Sequence, residues 1–373
     1  MAIGTIFPAE GRKWIDYKTG ATIRQLTSHM SINHHPFFLI PAYDDAMIKI
    51  YIVSHRTGNP QIFAIERQSG ILTQLTDMPD IAEWSVTPSR DGRYVYFTAG
   101  NGAWRVDTVT FRTEELLNFG TAELREPGMV AAAMGTTAVS YDDNWWAVPM
   151  KIGKVSRLVI IDTKTGTHDI ILERDSICHP EFHPDDSSIL HYGGPYHNRV
   201  WVINRDGTGH RQPCPRNGNQ WFVHEAWIPG TRELSVINWP HGMFSVNIDN
   251  GAKRQLCDFN AWHAISNRQG TAIIADTTYP DIGLQLFSTT GAESTSTLCY
   301  PEAWNLGAHW QTDHCPYDDD DYKQGKWTVY APQHTHPHPS FSPDGKHVIY
   351  TSDCTGYSQV YEVEGFSESW STI

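Results

Sequence analysis

The sequence predicts an all-β protein, a seven-bladed β-propeller whose ring is closed by an N-terminal strand that completes the last blade. Three observations carry this. A unit of strand, Asp/Gly/Pro-rich turn, strand, loop and strand recurs seven times, and its first turns fall near Asp45, Asp91, Asp143, Asp186, Gly230, Gly270 and Asp344. No copy shows a helical period, and repeats of roughly 40 to 50 residues built only from strands and turns are the mark of a propeller. The last copy is one strand short, while the opening segment WIDYKTGATIRQLT resembles the outer strands and turn of a blade, as in FAIERQSGILTQLT from Phe63.

The copies begin at Ile40 (IPAYDDAMIKIYIVSHRTG), Trp84 (WSVTPSRDGRYVYFTAG), Ala138 (AVSYDDNWWAVPMKIG), Pro180 (PEFHPDDSSILHYGG), Glu225 (EAWIPGTRELSVINW), Ala264 (AISNRQGTAIIADTT) and Pro339 (PSFSPDGKHVIYTSD). The interval before the last copy is long and holds an acidic run, DHCPYDDDDYKQGKWTVYAPQ, which reads as an insertion loop over about residues 309–332. That run lacks the spaced ligands of a calcium loop and reads as solvated. Residues 1–373 are expected to form a single propeller domain, in which closure leaves only short sheet edges.

Composition removes several classes of function. With 28 Lys+Arg against 42 Asp+Glu the formal charge is −14, the wrong sign for a chain that must displace counterions from nucleic acid. The N-terminus shows no basic region followed by an apolar run, and no stretch approaches the roughly 20 apolar residues of a membrane helix. Six cysteines stand singly without a C-x-x-C pair, as expected of reduced thiols in a cytoplasmic protein acting as a monomer or homodimer.

The inner strand of each blade runs along the central channel, so residues at a fixed distance before each first turn meet at one mouth. His179 and His224 stand six residues before Asp185 and Gly230, His263 seven before Gly270, and His338 and His336 six and eight before Asp344; His34 and His35 hold the comparable place in the first blade and Glu83–Trp84 in the second. Any one histidine before a turn is more often a structural hydrogen-bonder, but a scaffold has no need of imidazoles in register in five blades. Loops after the second strands return to the same mouth and bring His55 and Arg56, Tyr196, His197 and Arg199, His241, and Tyr279 with Asp281. A mouth so lined suits an anionic ligand such as a carboxylate.

In APQHTHPHPSF, alternate residues of an extended segment point the same way, so His336 and His338 share a face while the prolines bar a helix. With His263 and Gln333 they offer three nitrogens and an oxygen, a set suited to Mn, Fe, Ni or Zn more than to Ca2+, which prefers oxygen cages.

Taken in order, CHPEFHPDD, HNRVWVINRDG, FVHEAWIPG, WHAISNRQG and QHTHPHPSFSPDG resemble the oligogalacturonate lyases, the seven-bladed propellers of polysaccharide lyase family 22. The resemblance runs over most of the chain and is strongest from Cys178 to Asp353. It implies a metal-dependent β-elimination on short uronate oligosaccharides, with 4,5-unsaturated or keto-deoxy uronate products. It also implies a divalent cation, usually Mn2+, on His263, Gln333, His336 and His338, and catalytic roles for His224 and Arg199. The remaining mouth residues, His34, His35, Arg56, His179, Tyr196, His197 and His241, are then expected to bind the acidic oligosaccharide. The SINHHPFFLIPAYDD segment departs from the family's pattern.

The chemistry asks for these groups. A proton α to an ionised carboxylate is very weakly acidic, so a cation and an arginine must neutralise that carboxylate, and a neutral imidazole suits the base. His224 is expected to be the base and Arg199 the clamp or charge stabiliser; the acid for the leaving group is unassigned, with Tyr196 and His197 both able to supply it. Two readings compete: a non-catalytic propeller scaffold, and a metal-dependent hydrolase or lactonase on the same fold.

Overall fold

Short, near-continuous apolar runs such as Lys49–Ser54, Gln61–Glu66 and Tyr94–Ala99, punctuated by Asp/Gly turns, make each repeat a four-stranded antiparallel meander with both faces packed on its neighbours. The computed structural model describes residues 2–122, 135–195, 197–218, 220–304 and 335–366. These form seven sheets, five of four strands and two of five. The described residues hold no α-helix, and a 3-10 turn covers Glu83–Ser85. The insertion expected at 309–332 lies outside the described residues.

The inner strands, in blade order, are Asn33–His34, Thr87–Pro88, Ala138–Val139, Cys178–His183, Trp221–Ile228, Ala261–Ser266 and Ser340–Phe341. Successive ones touch from the second blade to the seventh, and the seventh blade touches the first, so chain order is ring order. Packing between blades is apolar and aromatic. Trp221 stands edge-on to Trp239 at 5.1 Å and to Trp262 at 5.3 Å between the fifth and sixth blades.

The ring closes as the sequence predicts. Thr22–Gln25 pairs antiparallel with Gln359–Glu364 and is backed by Arg12–Ile15. The chain upstream does something further: Ile6–Phe7 pairs with Leu72 and Thr73 at the outer edge of the first blade. Buried Glu362 reinforces the junction, accepting from Arg67 Nε at 3.0 Å and from the Tyr43 hydroxyl at 3.1 Å, both of the first blade.

The first blade's inner strand is interrupted. Asn33–His34 pairs with Ser54 and Val53, pairing resumes only at Tyr43 opposite Ile50, and the residues between include Pro36, Phe37 and Phe38. A proline lacks the ladder's N–H, and Ile40 N instead donates to the Phe37 carbonyl in a turn. The two phenylalanines are fully buried in a cluster with Leu39, Ile40, Trp84 and Ala226, with Ile265 against it. This cluster joins the first and second blades to the fifth and sixth, and so crosses the channel as an apolar floor.

Candidate active site and metal centre

The axial histidines reach the channel through β-bulges. In the fourth blade the pairing steps from Cys178↔Gly193 to Glu181↔His191, in the fifth from Val223↔Ile237 to Ala226↔Ser235, and in the sixth from Ala261↔Thr277 to Ala264↔Ala275. Each time the inner strand carries one extra residue, at His179–Pro180, His224–Glu225 and Trp262–His263. Such a bulge re-aims a side chain. His179, His224 and His338 adopt φ values of 49°, 51° and 46°, sparsely populated for a residue with a Cβ and concentrated at functional sites.

Three of these side chains gather in an arrangement that can hold a cation. The ligand nitrogens of His263, His336 and His338 all lie within 4.8 Å of one another, and all three residues are buried. His263 Nδ1 donates to Asp276 Oδ2 at 2.9 Å, and His338 Nδ1 donates to the His336 carbonyl at 3.0 Å. Both rings therefore keep their lone pair on Nε2. The Nε2 of His338 is buried without a hydrogen-bond partner among the described residues, as a metal ligand requires. This donor set fits a divalent transition metal. Asp276 stands opposite the sixth-blade bulge and also accepts from His263 N at 2.7 Å and His338 N at 3.1 Å. It orients the His263 imidazole, as a carboxylate does for histidines that bind metals, and burial pushes its pKa up to about 7.

Beside this lies a fixed guanidinium. Arg199, buried, donates from Nε to Glu225 at 3.0 Å, from one terminal nitrogen to Cys178 Sγ at 3.2 Å and from the other to His179 Nδ1 at 2.9 Å. A Cβ at Gly193 would come within 2.8 Å of the guanidinium carbon and 2.9 Å of Cys178 Sγ, so glycine there makes room for the group. His224 sits 4.3 Å from His263, ring to ring. Its Nδ1 donates to the Trp262 carbonyl at 2.5 Å, which leaves Nε2 as the basic atom.

Phe37 underlies the whole cluster, with ring centroids 4.9 Å from His179, 5.4 Å from His338, 6.1 Å from His263 and 6.4 Å from His224. Burial, added to by neighbouring charges, holds all four imidazoles well below the ordinary histidine pKa. They are neutral, as ligands or bases must be.

The structure thus brings together His179, Arg199, His224, His263, His336 and His338. It gives other expected residues different surroundings. His35 lies beneath the site, its Nε2 donating to the His338 carbonyl at 2.7 Å and its Nδ1 bonded to Thr351 at 2.8 Å. Burial pushes its pKa down to about 3. Arg56 is buried in an ion pair with Glu10 at 2.6 Å. His34 bonds to Glu83 at 3.0 Å, and His197 and His241 are exposed in their loops. Tyr196 and Gln333 lie outside the described residues.

Sequence reasoning missed Asp276, Glu225 and the Phe37–Phe38 floor. Spacing could not have found the acids, because Asp276 meets His263 across strands and Glu225 meets Arg199 across blades. An apolar FFLI run where other blades carry polar entries was the available sign of the floor.

The family model for oligogalacturonate lyase matches residues 1–369. An oligogalacturonate lyase of Dickeya dadantii (strain 3937) is 29% identical with 97% of each chain covered, and an oligogalacturonide lyase of Pectobacterium atrosepticum is 23% identical over the same shares. Among solved structures, an oligogalacturonate lyase in complex with manganese superposes with a TM-score of 0.82 at 21% identity, covering 99% of this chain and all (100%) of that one. The lyase of Vibrio parahaemolyticus gives 0.80 at 19% identity with the same coverage. At these identities the two structures share the fold.

Proposed function

This chain belongs to the oligogalacturonate lyase family, and from that premise we propose that it cleaves short galacturonate oligosaccharides by β-elimination at this mouth. The observation that carries the reading is the convergence of a three-imidazole cation site, a held guanidinium and a neutral histidine above one apolar floor.

In this reading His263, His336 and His338, with Gln333, hold a divalent cation, manganese foremost. When bound, such an ion supplies Lewis-acid neutralisation of the uronate carboxylate, several kcal/mol of transition-state stabilisation. Arg199, fixed by Glu225, clamps the same carboxylate. His224 Nε2 takes the C5 proton, a general-base contribution of typically about 10²- to 10⁴-fold. The electron pair from C5–H becomes the C4–C5 double bond and the glycosidic oxygen leaves C4. His179, touching Arg199, and the rim residues His197 and His241 are assigned to sugar contacts, and so is Tyr196.

No helix among the described residues is long and apolar enough to cross a membrane, and the five described cysteines are free thiols. We place the reaction in the cytoplasm, with the protein a monomer or homodimer and no nucleic-acid or membrane partner.

The test is mass spectrometry and ultraviolet absorbance of galacturonate oligomers incubated with the protein. Unsaturated uronate should appear, vanish with chelator, return with manganese and be lost in His224→Ala. Products carrying an added water would instead make it a hydrolase, and an inert protein with no bound metal would make it a scaffold.

A further inference from the structure

We propose that Glu83, through a proton it shares with His34 and His55, is the acid that protonates the departing glycosidic oxygen; this rests on the lyase reading above. The three side chains meet at the junction of the first and second blades. His34 ends an inner strand, His55 follows the second strand Lys49–Ser54, and Glu83 opens the 3-10 turn before Thr87–Pro88. They belong to the same mouth, because the Trp84 ring touches His34 at 4.5 Å and His338 at 5.3 Å.

The hydrogen bonds require an extra proton. His34 Nδ1 faces the His35 carbonyl at 2.9 Å, and a carbonyl only accepts, so Nδ1 carries a hydrogen. Its Nε2 faces Glu83 Oε2 at 3.0 Å, a contact that needs a second proton on one atom or the other. His34 and Glu83 together thus hold one proton beyond a neutral imidazole and a carboxylate. His55 Nε2 approaches the same oxygen at 2.8 Å. The side chains of Glu83 and His55 are 19% and 22% exposed and that of His34 is fully buried, so the proton is stored inside and offered at the rim. The pairing also stops Glu83 from repelling an anionic substrate.

Stereochemistry chooses this cluster over the rim of the fourth blade. In galacturonate the C5 hydrogen and the C4 oxygen lie on opposite faces of the sugar ring, so base and acid must approach from opposite sides. In a ring of seven blades, the junction of the first and second lies directly across the axis from the fifth, which carries His224. His197 stands on the fourth blade, beside the base. His224 takes the C5 proton, the C5–H pair forms the C4–C5 double bond, the C4–O bond breaks with its electron pair on oxygen, and that oxygen takes the proton held by Glu83. Water at the rim reprotonates the pair, and His224 releases its proton to solvent.

The experiment compares the manganese-loaded protein with Glu83→Gln on two substrates, digalacturonate and a 4-deoxy-4-fluoro-galacturonide, whose fluoride leaves without needing a proton. Glu83→Gln should lose on the order of 100-fold on digalacturonate and change little on the fluoride. Equal loss on both, or no loss on digalacturonate, overturns the proposal. If Glu83→Gln fails to match the wild-type unfolding temperature and metal content, His55→Gln is used, and the same divergence, smaller, is expected; parallel losses there overturn it too. A wild-type protein that makes no unsaturated uronate from either compound overturns the lyase reading itself.

Discussion

His263 shows how much of this site depends on residues that touch no ligand. Asp276 fixes both the backbone N–H and the ring of His263, and caps His338 N as well. Asp276→Asn should therefore lower manganese affinity by about 10- to 100-fold with the fold retained, as measured by metal titration of chelator-stripped protein. His35 offers a different test. Its folded pKa of about 3 lies below the unfolded value near 6.5, so below pH 6.5 the unfolded chain binds the extra proton and stability falls as pH falls. Between pH 7 and pH 5 this one group should cost about 2 kcal/mol, and urea unfolding of His35→Gln at the two pH values should show a correspondingly shallower loss. The gathering of His263, His336 and His338 was legible in the sequence because register and i, i+2 spacing are properties of the chain. Asp276 and Glu225 were not: Asp276 meets His263 across a pairing that a bulge has shifted by one, and Glu225 of the fifth blade meets Arg199 of the fourth.

At the scale of the element, the bulged inner strand is the device that turns a packing module into a site. A regular strand would send alternate side chains into the blade faces; the extra residue in three consecutive blades turns His179, His224 and His263 to the axis instead. Turn spacing gave the seven blades and located these histidines, yet it carried no sign of the bulges, because they are set by the pairing partner. The first blade's broken strand is the complementary device. Its Phe38 packs 5.2 Å from His263 and 5.6 Å from His224. Phe38→Ala should cost about 3 to 5 kcal/mol in denaturant unfolding and loosen the imidazoles above, with weaker metal retention in the same samples.

For the whole molecule, the decisive contact is between the two ends of the sequence. Thr22–Gln25 is hydrogen-bonded into the last blade while Ile6–Phe7 is bonded to the first, so the opening segment spans the closure from both sides. Removing residues 2–25 should expose the edge of Gln359–Glu364 and leave a protein that aggregates or fails to show a cooperative thermal transition, whereas the full chain should unfold in one calorimetric step as a single domain. The closing strand was readable from its likeness to Phe63–Thr76; the stitch at Ile6–Phe7 was not, two residues being too few to carry a pattern. The floor under the histidines has a last consequence. A channel sealed partway down cannot be threaded, so a sugar chain enters and both fragments depart through one doorway.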